Sequence, residues 1–238
     1  MKKTLDIPFI SSRGFECGQT CAAMMIKHFY PSFEPDFNEF NKIIHHVPGK
    51  YTFPLQNALL LDYYGVKAKC FSSDDYKTTI QEPGIFKRWY GKECESQMKY
   101  IDIDSFNWMV SEALKKRLFK KTVTTVNQMI QMFNRGFLVA LILDWNTLSG
   151  KSGEYLGHSM LLSGVDGDTL LLHDPDIGPF QPYSKSQVEK AFSHPLIAHD
   201  LLVAYGKSSG RYRYCTYSTE TAGTYPTNPP SPSNTNTG

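Results

Sequence analysis

The chain predicts an α+β domain, with a helical half first and a mixed or antiparallel sheet second. Between residues 17 and 64 apolar residues recur at helical spacing, and the runs stop at Pro31, at Pro48-Gly49 and at Gly65. Between residues 137 and 205 they come instead in short blocks of strand length, the clearest being Phe137 to Leu143. From Lys207 the composition turns to Ser, Thr, Pro, Asn, Gly and Tyr with no hydrophobic period. A single domain over residues 1–206 and a disordered tail over 207–238 are therefore expected.

Leu5 to Ile10 reads as an extended segment interrupted by Pro8, leading through Ser11-Ser12-Arg13-Gly14 into a helix from Cys17 to about Tyr30. Asp36 caps a second helix, with Glu39 in the capping-box position and His45-His46 at its end. Adjacent helical residues point about 100° apart, so this pair reads as a surface feature compensating the helix dipole and not as a metal site. Thr52 is expected to cap a third helix, Phe53 to Tyr64, before a strand from Val66 to Phe71 that places Cys70 in the core. Ser72 to Ile103 carries little pattern beyond a short helix around Phe86, Trp89 and Tyr90. Ser105 opens a helix through Leu118 that runs into the basic stretch Lys115 to Lys121, a solvated last turn.

Thr124 or Thr125 caps the next helix, Val126 to Asn134, and Phe137 to Leu143 follows as a central strand. His158 to Gly164 and Thr169 to Asp174 form a hairpin around Asp166-Gly167. Gly178 to Tyr183 reads as a Pro-rich turn, Ser184 as a helix cap, and Ile197 to Tyr205 as the last strand.

The 238 residues carry a formal charge of +2, too small to call for nucleic acid or an anionic membrane as partner. No stretch approaches the roughly 20 apolar residues that span a bilayer, and no apolar run follows Met1-Lys2-Lys3, so a soluble, cytoplasmic protein is expected. The 5 cysteines, Cys17, Cys21, Cys70, Cys94 and Cys215, are odd in number and lack paired metal-ligand spacing. A disulfide framework and a zinc site are not expected, and with no phosphate-binding glycine loop and no HExxH motif neither is any cofactor. Oligomeric state is left open.

One cysteine differs in its setting. Cys17 opens the helix Ala22-Ala23-Met24-Met25-Ile26, where unpaired backbone N–H groups and the positive end of the helix dipole favour a thiolate. His158 and Asp174, far along the chain, have the chemistry of a base and of a carboxylate that orients it. Cys21 should pack inside, and the acids flanking Cys94 disfavour its thiolate.

The blocks Ile7-Pro8-Phe9-Ile10, Glu16-Cys17-Gly18-Gln19-Thr20-Cys21-Ala22-Ala23-Met24 and Gly157-His158 through Asp174-Pro175 resemble the papain-like bacteriocin-leader peptidases, cysteine peptidase family thirty-nine. The order of elements between them, notably Tyr51 to Phe71, also resembles the guanylyl-cyclase-like branch of that superfamily. The resemblance implies a papain-like cysteine peptidase fold, Cys17 as nucleophile, His158 as general base, Asp174 as its orienting group, and a peptide or protein as substrate. It leaves open a catalytically weak or inactive peptide-binding domain, an acyltransferase, or a cyclase-like protein. Such enzymes usually place a glutamine shortly before the cysteine as oxyanion donor, whereas Ser11-Ser12-Arg13 stands here, with Ser12 the nearest replacement.

The hairpin sets a stringent geometric condition. A two-residue Asp166-Gly167 turn would put Asp174 on the sheet face opposite His158, while a three-residue loop, Val165-Asp166-Gly167 with a bulge, pairs His158 directly with Asp174. The bulged form is expected.

Overall fold

A computed structural model describes residues 2–12, 14–79 and 84–208. Most of the expected tail, including Cys215, lies outside the described residues, as does Arg13. The first half of the chain forms β1 (Lys3–Thr4), α1 (Cys17–Phe29), α2 (Phe37–Ile43), α3 (Pro54–Tyr63), β2 (Val66–Ser72), α4 (Tyr76–Thr79), α5 (Ile85–Tyr90), α6 (Cys94–Met98) and α7 (Ile103–Lys115). The second forms β3 (Phe119–Lys121), α8 (Val126–Asn134), β4 (Leu138–Asp144), α9 (Trp145–Leu148), β5 (Gly157–Asp166), β6 (Thr169–Asp174), β7 (Gly178–Ser184), α10 (Lys185–Phe192) and β8 (Leu201–Lys207).

This is an α+β fold built on one mixed sheet, in the order β3-β2-β8-β4-β5-β6-β7 with β1 added to β5. The β2–β3 pair is parallel, and the neighbours of β4, β5 and β6 are antiparallel. The sheet is not confined to the second half, since β2 comes from among the first helices. Along β4, Leu138 and Ala140 join one core with α1, α3 and α7, while Val139, Leu141 and Leu143 join another with α8 and α10. Helices on both faces explain why this strand reads as a continuous apolar run and not as an alternation. Among the described residues no helix is long and apolar enough to cross a membrane.

Helix α1 is an interior rod: Gly18 through Ile26 are all buried. Burying a Met or Ile side chain fully contributes about 1.5–3 kcal/mol, so the helix that carries Cys17 is fixed by its whole length. It ends where Pro31 cannot continue the ladder.

Several boundaries differ from expectation, each for a local reason. Helix α3 starts after Phe53, because Thr52 turns its hydroxyl to Gln19 Nε2 and the Phe53 N–H is taken by Gln56 Oε1 at 2.9 Å. Helix α7 starts earlier than Ser105, since Asp102 accepts the Ser105 N–H at 2.8 Å and serves as the cap. It also ends at Lys115; Arg117 takes φ 57°, and the chain continues as strand β3 beside β2. Gly178 to Ser184 is a strand and not a turn, its prolines tolerated because β7 is the sheet edge. Of His45-His46 only the first is a surface residue: His46 is buried between Asn41 Oδ1 and Lys50 O, while His45 is exposed and stacks on Trp108 with ring centroids 3.9 Å apart.

The hairpin satisfies its condition by a route the sequence did not indicate. Asp166 pairs with Thr169, so the turn is the two-residue Gly167-Asp168, with Gly167 at φ 59°. The extra residue sits inside β5 at Ser163, between the Leu162–Leu172 and Gly164–Leu171 pairs. That bulge shifts the count by one, puts Leu161 opposite His173, and returns Asp174 to the face of His158. Ser163 Oγ donates to Leu171 O at 2.9 Å, and Ser163 O accepts from Leu5 N. At Gly164 a Cβ would meet Leu171 Cδ1 at 2.9 Å, Thr4 Cγ2 at 3.0 Å and Lys3 O at 3.2 Å. Gly164→Ala is expected to cost about 1 kcal/mol by overpacking and to lower Tm by about 2–4 °C in a thermal melt; an unchanged Tm contradicts this reading of the bulge.

Candidate active site

Cys17 is the first residue of α1, and its N-cap Glu16 makes no side-chain capping bond, which leaves the helix's first N–H groups unspent on a side chain there. The His158 ring and the Ser159 N–H lie near enough to the thiol to act on its ionisation. Burial pushes the Cys17 pKa up, but the hydrogen bond and charge of His158, with the Ser159 N–H, outweigh burial and the net result is a lowered pKa.

His158 lies at the start of β5. Its Nε2 meets Asp174 Oδ1 at 2.9 Å, leaving Nδ1 for the thiol. Burial disfavours an imidazolium, yet the hydrogen bonds from Asp174 and Cys17 overcome it and push His158 up to about 10. At neutral pH this favours a thiolate–imidazolium pair, whose two protonation steps belong to the pair and not to either residue. Asp174 is fully buried, and its Oδ1 also accepts the Asp176 N–H at 2.9 Å. The structure thus brings Cys17, His158 and Asp174 together from α1, β5 and β6. By contrast, burial pushes the Cys21 and Cys70 thiols well up.

Ser12 is differently engaged. Its hydroxyl donates to Gly14 O at 3.0 Å and its N–H to Pro175 O at 2.8 Å. A serine hydroxyl has one proton, so while the first bond stands none is left for an oxyanion. The Ser11-Ser12 segment ties the approach to Cys17 to the turn that follows Asp174, because Ser11 Oγ also donates to Pro175 O at 3.4 Å.

Other residues of the site were not legible beforehand. Trp145 packs edge-on against the His158 ring, centroids 5.2 Å apart. It is held there by Asp144, whose carboxylate caps α9 through the Thr147 N–H and binds the Leu156 N–H, both at 2.9 Å. Asp176 Oδ2 lies 3.8 Å from His158 Nδ1, half exposed, and its charge opposes the thiolate. His158, Asp174 and Asp176 are also the group of described residues that could hold a metal ion, with ligand atoms within 4.8 Å. A cation there would consume the imidazole that Cys17 needs, so metal and thiol pair are alternatives. A cavity of about 1040 Å³ opens from Cys17 and His158 between the two halves of the molecule.

No protein-family model and no curated protein matches the chain significantly. Solved structures similar to it include two. One is a Bacillus anthracis protein assigned as a C39-like peptidase, at 13% identity and TM-score 0.49, covering 87% of this chain and 99% of that one. The other is the peptidase domain of Streptococcus ComA, a bifunctional ABC transporter involved in a quorum-sensing pathway, at 11% identity and TM-score 0.45, covering 84% and 98%. The guanylyl-cyclase-like resemblance finds no support in either.

Proposed function

We propose that the protein is a cysteine-dependent hydrolase of peptide or amide bonds. The observation that carries this reading is the His158 ring, bound to a buried carboxylate at Nε2 and set against a helix-opening thiol on its other side. Cys17 Sγ attacks the carbonyl carbon, His158 passes its proton to the departing amine, and water then releases the acyl group from sulfur with His158 as base. Asp174 holds the ring in the tautomer with Nε2–H throughout. The Cys17 N–H, at the first position of α1, is one oxyanion donor; Ser12 supplies a second only when its bond to Gly14 opens. Peptides are the substrates of choice because the cavity beside the thiol, about 1040 Å³, has room for more than one residue.

The test is alkylation by iodoacetamide with site mapping by mass spectrometry. Near neutral pH, Cys17 is expected to react ahead of Cys21, Cys70 and Cys94, with a pH profile whose rising limb lies below the ordinary thiol value of 9.0. Loss of the imidazolium proton, near 10, sets the upper limb of thiolate–imidazolium reactivity toward a peptide substrate. Preferential labelling of Cys70 or Cys94 overturns the assignment. The engagement of Ser12 favours one second reading, a peptide-binding domain with little turnover, which is the better one if labelling of Cys17 is selective but no peptide library yields cleavage.

A further inference from the structure

The cavity beside Cys17 is electrostatically lopsided. Among the described residues its lining carries the acids Asp74, Glu154, Asp174, Asp176 and Asp200, and against them the arginine Arg88. The whole chain, by contrast, has a formal charge of +2. In the same cavity Asp200 stands among Tyr76, Tyr90 and Tyr155, all within reach of its charge. Asp200 Oδ1 is buried and has no hydrogen-bond partner. Arg88 and Lys121 act on Asp74, while the Ser72 hydroxyl and Asp74 act on Asp200.

We propose that this part of the cavity receives the cationic side chain of a lysine or arginine in the peptide, with its charge against Asp200 and its stem beside the lining residues Tyr76, Tyr90 and Tyr155. Aromatic side chains bury a methylene stem while the carboxylate meets its charged head, so both favour the same occupant. This rests on the peptide-cleaving reading of the site. Burial and the nearby Asp74 hold the Asp200 carboxyl at about 7, with the Ser72 hydroxyl opposing, so its charge grows as pH rises from 6 to 8. Asp74, at about 6, titrates in the same direction. Cys70, Tyr76, Tyr90 and Tyr155 are all pushed up by burial and stay neutral across that range.

The test uses N-acetylated, C-amidated Gly-Arg-Gly and its citrulline counterpart, the neutral isostere, so that no terminal amine contributes. Binding to the full chain carrying Cys17→Ala is measured by calorimetry at pH 6 and pH 8. At pH 8 the arginine peptide is expected to bind about tenfold tighter or better, as one charge-assisted contact in a dry site implies. The preference should shrink at pH 6 and fall to about twofold or less when Asp200→Asn is added. Equal binding at pH 8, or a preference that survives Asp200→Asn in a folded variant, overturns the proposal. If Asp200→Asn does not fold, the pH 6 to pH 8 comparison decides alone, and a constant ratio overturns it. Iodoacetamide labelling of wild-type Cys17 stays independent of these ratios: its failure removes the hydrolase reading while leaving the cation site to the calorimetry.

Discussion

Cys17→Ala is expected to remove every covalent or hydrolytic reaction of the site, a fall of at least about 10⁴-fold in turnover on any peptide that the wild type cleaves. Neither Cys21 nor Cys70 can take over. Cys21 lies one helical turn further inside α1, 1% exposed, and Cys70 is fully buried in β2, each with its thiol pushed well above the ordinary range. Cys17→Ser is the sharper control, because it keeps the shape while replacing a thiolate by a hydroxyl whose ionisation lies far out of reach of one imidazole. Residual turnover above about one-hundredth in either variant would mean that the chemistry lies elsewhere in the cavity.

Removal of Asp174 separates orientation from charge. Asp174→Ala takes away the acceptor for His158 Nε2–H in a fully buried place, and a hydrogen bond to a charged group is worth about 1.5–3 kcal/mol, or roughly a hundredfold in rate. Asp174→Asn keeps an acceptor oxygen there while removing the charge, and should stay within about tenfold of wild type. The pH profile adds a readout that simple misfolding does not imitate. Asp174 is one of the groups that push His158 up to about 10, so in both variants the alkaline limb moves down toward the ordinary histidine range. The same sign governs stability: a histidine with a raised folded-state pKa contributes most below its unfolded value of 6.5, and that contribution is lost as pH approaches 10. Equal rates and an unmoved limb in Asp174→Ala would leave the carboxylate a packing residue.

The order of elements and the setting of Cys17 were legible because both are local. A cysteine followed by a buried helix, and glycine or proline at its end, need no knowledge of distant residues. The register of β5 on β6 was not legible. Strand β5 is buried on both faces from His158 to Val165, so its apolar residues carry no period-two signal to say which way any one points. The structure brings His158 and Asp174 within hydrogen-bond distance, but the bulge at Ser163 that aligns them left no mark in composition. The Lys115 to Lys121 run misled in another way: strand β3 is three residues at the sheet margin, where lysine is as acceptable as in a helix end. The place of Asp200 in the cavity lining depends on β8 lying next to β2, a pairing between segments more than 100 residues apart, and no local pattern announces it. Trp145 and Asp176 escaped for the same reason, since each acquires its meaning only beside His158.

The bulge in β5 gives this hairpin a frame, in the sense in which a coding sequence has one. Loss of Ser163, a residue that touches neither the thiol nor the imidazole, would turn Asp174 to the opposite face while every side chain of the site remained in the chain. A compensating residue gained at the Gly167-Asp168 turn would restore the phase. On the proposed reading, competence is thus also a matter of counting, and changes in length between His158 and Asp174 are to be judged in pairs.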